Sequence, residues 1–372
     1  MIKNASKILL SLVAALITLG LILVLSASST YSALKFDSFA SLFNNHLVKV
    51  FIAVAAMIVF AKIPYQKYQI YSKKLTIIII VALFFTFLMA AKVKGAGRWI
   101  NLYLFTIQPS EIAKIILMMH LANLIVKKGE LIKDFNQGFK YPVIWIFMVA
   151  GLVLVQPNLS TSIVIVVTSF TVLFVSGARI KHIFGTLGVA ALFGGSAMMI
   201  FPHSRGRILT YLNSLFGEGE INIQVAQAKI ALGSGGLSGL GVGHSRQSDL
   251  FLPEAYGDFI FSILGEELGF AGAFGVLLVY LTIFFIGIVI AKKAVDDYGQ
   301  LLAFGLAFNI IISAFINAGV VIGMLPTTGI TLPFISYGGT SITFLCASVG
   351  IILNIAKQSR VQQSETAVVI DE

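Results

Sequence analysis

Charge is what this chain has least of. Only 11% of its 372 residues are Asp, Glu, Lys or Arg, against about 25% in a soluble domain, and that scarcity excludes an ordinary water-soluble fold. Cysteine is nearly absent as well. The single Cys346 rules out an intrachain disulfide and gives no thiol cluster for a metal. His244 stands in a loop with no second histidine or carboxylate at ligand spacing, so a metal site is left unknown. Alternating segments of roughly ten residues, the mark of a membrane β-barrel, do not occur. No internal repeat is evident at the level of motif, which weakens an inverted-repeat transporter. No glycine fingerprint follows a strand, so a dinucleotide-binding unit is excluded too.

What is present in quantity is apolar. Hydrophobic residues make up 58% of the chain, in continuous runs of about 20, the length a membrane helix needs. The fold class is therefore an all-α polytopic membrane protein with about ten transmembrane helices. The expected spans are 8–25, 47–63, 75–91, 110–126, 141–156, 160–177, 180–201, 267–291, 300–323 and 333–355. A large loop, 202–257, separates spans seven and eight. Residues 1–360 form one transmembrane domain, and 361–372 a polar tail expected to be disordered.

Charge placement orients the map. With both termini in the cytoplasm, every inside segment is basic: Lys3 and Lys7, then Lys67, Lys73 and Lys74, and so on to Lys357 and Arg360. The positive-inside rule asks for this pattern. Lys92, Lys94 and Arg98 are the outside exception. The net charge of +10 is thus spread over many short loops, which argues against a nucleic-acid partner. Lys3 and Lys7 before an apolar run mimic a secretory signal, but the run is long and nine more spans follow, so an uncleaved first helix is expected.

The outside segments carry the chemistry. In FLPEAYGDFIF, 251–261, Glu254 and Asp258 lie between a glycine-rich loop and a hydrophobic run. Carboxylates at membrane depth are expensive and mark function. Phe259, Ile260 and Phe261 follow Asp258 at once, so it borders an apolar wall, where desolvation favours a proton acceptor. Glu267 can instead favour a helix dipole. Arg98 can fork onto a phosphate, although an Arg-Trp pair at an interface also serves as a plain anchor. Glu111 and Lys114 sit three apart on one helical face, and a structural ion pair is the simpler reading of them. Arg205 and Arg207 follow the seventh span. In QVAQAKIALGSGGLSGLGVGHSRQ, 224–247, the first half suits a short surface helix. The second half reads as a flexible linker or, through its backbone amides, a pyrophosphate cradle. In MLPTTGITLPFISYGGTS, 324–341, Pro326, Gly329 and Pro333 exclude a regular helix, so a re-entrant or tightly turned loop is expected. Ser336 and Tyr337 supply hydroxyls there.

The set GAGRWI, IQPSEIAK, IALGSGGLSGLGVGHSRQ, LPEAYGDFIFSILGEELG and LPTTGITLPFISYGGTS closely resembles the SEDS family of bacterial membrane glycosyltransferases, of the FtsW and RodA type, from first span to last. LSASS after the first span and the MLPTTG turn lean toward FtsW. The resemblance implies polymerisation of lipid II into peptidoglycan, with release of undecaprenyl pyrophosphate. It maps the family's essential aspartate onto Asp258, as general base on the acceptor hydroxyl. It also singles out Arg98, Glu111 and Lys114. Where relatives carry Thr or Asn before that aspartate, this chain has Gly257, which removes a neighbouring hydrogen-bonding side chain. Arg98, Arg205, Arg207, Arg246, Gln247, Glu254, Ser336 and Tyr337 are candidate substrate contacts, with a divalent cation as a conceivable aid. The implied partners are a class B penicillin-binding protein and other divisome or elongasome membrane proteins. The implied location is the bacterial inner membrane, at the septum for an FtsW-like member. A lipid II flippase is the alternative function, and a small-solute transporter and a division scaffold are weaker ones.

Overall fold

The computed structural model describes residues 2–90, 99–101, 106–156, 158–200, 202–216, 222–249 and 251–371. Among the described residues the helices run, in order, α1 (Ile2–Phe36), α2 (Ser41–Lys62), α3 (Tyr65–Ala90), α4 (Pro109–Lys128), α5 (Lys140–Val155), α6 (Leu159–Val175), α7 (Ile180–Ile200), α8 (Pro202–Phe216), α9 (Ile223–Ser234), α10 (Ile260–Lys292), α11 (Asp297–Val321) and α12 (Thr340–Asp371). A small hairpin pairs β1 (Ile100–Asn101) with β2 (Thr106–Ile107), Ile100 opposite Ile107.

Each of the ten expected spans falls on a helix, α1 to α7 and α10 to α12, although the last, expected from residue 333, becomes helical only at Thr340. Seven helices among the described residues are long and apolar enough to cross a membrane, and α6 and the first part of α7 are shorter apolar helices. The exception is α4, which carries Glu111, Lys114, Lys127 and Lys128. Its neighbours explain this, since α4 packs against α3, α5, α6, α11 and α12 and is buried along most of its length. It faces protein rather than lipid. The outer helices do the reverse: Phe51 on α2 and Ile78, Val81 and Phe85 on α3 are exposed, as lipid-facing residues should be. The chain is an integral membrane protein.

Successive helices reverse direction. The short connections 63–64, 129–139, 176–179 and 293–296, flanked by Lys62, Lys67, Lys127, Lys128, Lys140, Lys181 and Lys292, lie at one end, where Tyr65 stacks on Tyr298 and Phe135 meets His182. The hairpin, α8, α9 and the loop 322–339 gather at the other. α9 is the expected surface helix, capped by Asn222, whose side chain accepts from the Val225 amide at 3.3 Å. α8 was not expected from the sequence. α12 continues as helix through Asp371, over the residues read as a polar tail.

Two irregularities shape that second end. α10 starts at Ile260, seven residues before the expected span, and breaks at Gly269, whose φ of 68° and ψ of −173° only glycine adopts without strain. The break frees the carbonyls of Glu266 and Glu267. The glycine-rich loop answers both, through the amides of Leu240 at 2.9 Å and Gly241 at 3.0 Å. The loop 322–339 is non-helical, as Pro326, Gly329 and Pro333 require, and it dips into the bundle. Leu332, Phe334 and Ile335 are buried, and Tyr280 of α10 donates to the Pro333 carbonyl. Gly20 of α1 permits this approach, because a Cβ there would lie 2.7 Å from the Ile335 Cα.

Candidate active site

A polar cavity of about 380 Å³ opens at this second end. α2, α4, α6, α8, the turn before α10 and the loop 322–339 all contribute to its wall. Asp258 lies at its heart, half-buried. The turn that presents it is built on Glu254, which takes a positive φ of 59°. The Glu254 carbonyl accepts from the Gly257 amide at 2.9 Å. Three further contacts fix the turn. Asn317 of α11 donates through its Nδ2 to the Asp258 carbonyl at 2.7 Å and to the Ile330 carbonyl at 2.7 Å. The Ser336 hydroxyl donates to the Gly257 carbonyl at 2.8 Å while accepting from the Leu332 amide at 2.7 Å. The Tyr337 amide donates to the Tyr256 carbonyl at 2.9 Å. The turn that carries Asp258 is therefore held from two sides, by α11 and by the loop 322–339.

Charge is arranged around it. Arg207 of α8 lines the same cavity, donating to the carbonyls of Thr327 at 3.3 Å and Thr328 at 3.4 Å. Burial pulls its guanidinium below the usual arginine range, and the attraction of Asp258 works against that pull. Glu111 and Lys114 also face the cavity, joined at 2.9 Å and both largely buried. Burial, and then the charge of Glu254, push the Tyr256 phenol up, so it stays a neutral donor. A smaller cavity of about 150 Å³ reaches Asp258 from the α9 side, sharing Arg207 and Glu254. An apolar cavity of about 680 Å³ lies between α5, α6 and α7.

The sequence candidates thus separate. Asp258, Glu254, Arg207, Glu111, Lys114 and Tyr337 line one cavity. Ser336 is buried behind the wall and holds the turn. Arg205 is exposed on α8 and is not part of the lining. Arg246 and Gln247 lie in the glycine-rich loop, where their amides donate to the Glu266 carboxylate at 3.1 Å and 3.3 Å. Arg98 lies outside the described residues. The reading of the glycine-rich loop as a pyrophosphate cradle is corrected. Its amides at 240 and 241 serve α10 carbonyls, and those at 243, 246 and 247 serve the carboxylates of Glu267 and Glu266. Glu267 is likewise not a simple helix-start charge, since it is buried and accepts from the Ser26 hydroxyl. Sequence reasoning missed Lys49 of α2, which lines the cavity, and Asn317. Both are polar residues inside apolar spans, which is the signal that could have found them. No cluster of three His, Cys, Asp or Glu among the described residues could hold a metal ion.

Comparison with known proteins places this geometry. The FTSW_RODA_SPOVE family, described as "Cell cycle protein", matches residues 7–361. "Stage V sporulation protein E" of Bacillus subtilis is 38% identical over 362 residues, covering 96% of this chain and 99% of that protein. "Probable peptidoglycan glycosyltransferase FtsW" of Geobacter metallireducens is 35% identical over 361 residues, covering 96% of each. Two solved folds superpose over 94% of the chain. One, from "Structural coordination of polymerization and crosslinking by a peptidoglycan synthase complex", has a TM-score of 0.76 at 24% identity and is covered over 97% of its length. The other, the rod shape determining protein RodA of Thermus thermophilus, has a TM-score of 0.69 at 24% identity and is covered over 96%.

Proposed function

The chain belongs to the FtsW, RodA and SpoVE family of cell cycle proteins, and on that premise we propose that it is a peptidoglycan glycosyltransferase polymerising lipid II. The observation that carries the reading is a half-buried carboxylate, Asp258, set beside Arg207 in a polar cavity at one face of a membrane bundle. That face is opposite the basic connections, so by the positive-inside rule it is extracytoplasmic, with both termini in the cytoplasm. A lipid-anchored sugar substrate presents its polar part at such a face.

The reaction needs one base. The 4-hydroxyl oxygen of the acceptor sugar bonds to the anomeric carbon of the donor, with inversion. The bond from that carbon to the pyrophosphate oxygen breaks, and its electron pair leaves with undecaprenyl pyrophosphate. The hydroxyl proton passes to the Asp258 carboxylate, which returns it to solvent. Such general-base assistance contributes about 10²- to 10⁴-fold. Cationic groups facing the departing phosphate supply the electrostatic share, and Arg207 is placed for it. Glu254, Tyr337 and the Glu111–Lys114 pair would position the sugars. Arg205, Arg246 and Gln247 keep a part only as contacts to more remote regions of the substrate, and Arg98 stays a candidate substrate contact. A divalent cation would arrive on the pyrophosphate and need one or two carboxylates at most. Glu254, which lines the cavity, would meet it there.

Cross-linking of the strands is assigned to a partner. A class B penicillin-binding protein fits, in a division or elongation assembly of a bacterial inner membrane. The test is polymerisation of purified lipid II by the protein in lipid nanodiscs, with and without that partner. Asp258→Asn should lower the rate by about 10²- to 10⁴-fold with the fold intact. Full activity in the variant rejects the assignment. Movement of lipid II across the bilayer without polymer points to a flippase instead.

A further inference from the structure

Three cations among the described residues line the Asp258 cavity: Lys49, Lys114 and Arg207. Two are already engaged. Lys114 is paired with Glu111 at 2.9 Å. Arg207 donates to two loop carbonyls and feels the charge of Asp258. Lys49 differs. Among the described residues it has no carboxylate partner. Its Nζ donates to the Tyr337 hydroxyl at 2.9 Å and stands 4.3 Å from the Tyr337 ring centroid.

The wall that carries this ammonium is rigid. Tyr337 is tied through its amide to the Tyr256 carbonyl at 2.9 Å. Its ring meets Tyr256 edge to face, with centroids 5.5 Å apart, and His46 of α2 at 5.3 Å. Tyr256 is two residues from Asp258. A half-buried ammonium that faces a cavity and has no carboxylate in salt-bridge contact among the described residues keeps charge to spend on a ligand. An aromatic face and a phenol oxygen offset part of the cost of its burial. With one donor spent on Tyr337, two remain for a ligand. A compact, multiply charged anion gains most from such a site.

We infer that Lys49, held by Tyr337, is the subsite for the pyrophosphate of the lipid-linked donor and steadies its charge as it leaves. The inference rests on the polymerase reading. It adds a span residue, Lys49, to Arg207 as a contact for the leaving group.

The test uses the full-length protein in nanodiscs, with two readouts. One is polymerisation of lipid II. The other is binding of undecaprenyl pyrophosphate, with undecaprenol as the uncharged control. Lys49→Gln should lower kcat by about 10- to 100-fold, the scale of one charge-assisted contact, and weaken undecaprenyl pyrophosphate by a similar factor. Undecaprenol binding should not change, and Lys49→Arg should recover most of both losses. Should Lys49→Gln fail to fold, Lys49→Met, which keeps the apolar stem, is read in the same way. Wild-type rate and wild-type pyrophosphate affinity in the charge-free variant overturn the inference, and so does an equal loss for undecaprenol. A wild-type protein that binds the pyrophosphate through Lys49 but makes no polymer rejects the polymerase reading and leaves the subsite standing.

Discussion

Asn317 offers the sharpest test of how the site is held. Its amide nitrogen donates at 2.7 Å to the Asp258 carbonyl and at 2.7 Å to the Ile330 carbonyl. It is thus a single side chain on α11 that locks the catalytic turn to the dipping loop. The residue is 1% exposed, so water does not replace it readily. In Asn317→Leu, of similar size, both donors vanish. Leaving a buried acceptor without its donor costs about 1 to 3 kcal/mol, so two lost donors weaken the aligned arrangement by about 2 to 6 kcal/mol before relaxation. At roughly 1.4 kcal/mol per tenfold, even the lower figure removes most aligned molecules. Polymerisation of lipid II should fall by about 10- to 100-fold in kcat, with a smaller effect on KM. Asn317→Asp should be worse, because it turns a carboxylate toward two carbonyl oxygens. Asn309→Leu is the control: it is buried on the same helix and absent from both Asp258 cavities. It should cost stability and spare the rate. A folded Asn317→Leu protein with wild-type kcat would refute the reasoning.

The Glu111–Lys114 pair makes a different prediction. Removing one partner strands a buried charge, at about 3 to 5 kcal/mol, so Glu111→Ala or Lys114→Ala should lower the thermal midpoint clearly. The double change Glu111→Gln with Lys114→Met should recover much of that stability. A double variant no more stable than the singles would count against a pair that matters through mutual neutralisation. Glu266→Gln should loosen the glycine-rich loop, since the carboxylate accepts from Ser234 at 3.2 Å as well as from Ser245, Arg246 and Gln247. Hydrogen exchange at amides 240–247 should speed up by about tenfold or more, the scale of one charged hydrogen bond. Unchanged protection would show that the backbone contacts suffice alone.

The helices were legible because the physics that selects them is local. An apolar run of sufficient length must be a helix in a bilayer, and this held even for α4, whose Glu111 and Lys114 pair inside the protein while Lys127 and Lys128 lie at its far end. Proline and glycine marked the loop 322–339 for the same local reason. What stayed hidden depends on distant partners. Glu267 read as a helix-start charge, and Glu266 beside it was given no role. Their partners are Ser245, Gly243 and Ser26, and Ser26 lies 241 residues from Glu267 in the chain. α8 was missed because its sequence is neither apolar nor marked by strong start signals. Within the site, Asp258, Glu254, Arg207, Glu111, Lys114 and Tyr337 line one cavity. Lys49 and Asn317 did not stand out, because one polar residue in an apolar run reads as tolerated noise until the fold shows what it faces.

The break at Gly269 has a mechanical consequence. The outward loop is sewn into the gap in α10, so loop and helix move as one body. That body ends, eleven residues upstream of the break, at the aspartate. A force applied to the loop is thereby carried to the turn that presents Asp258, without anything entering the cavity.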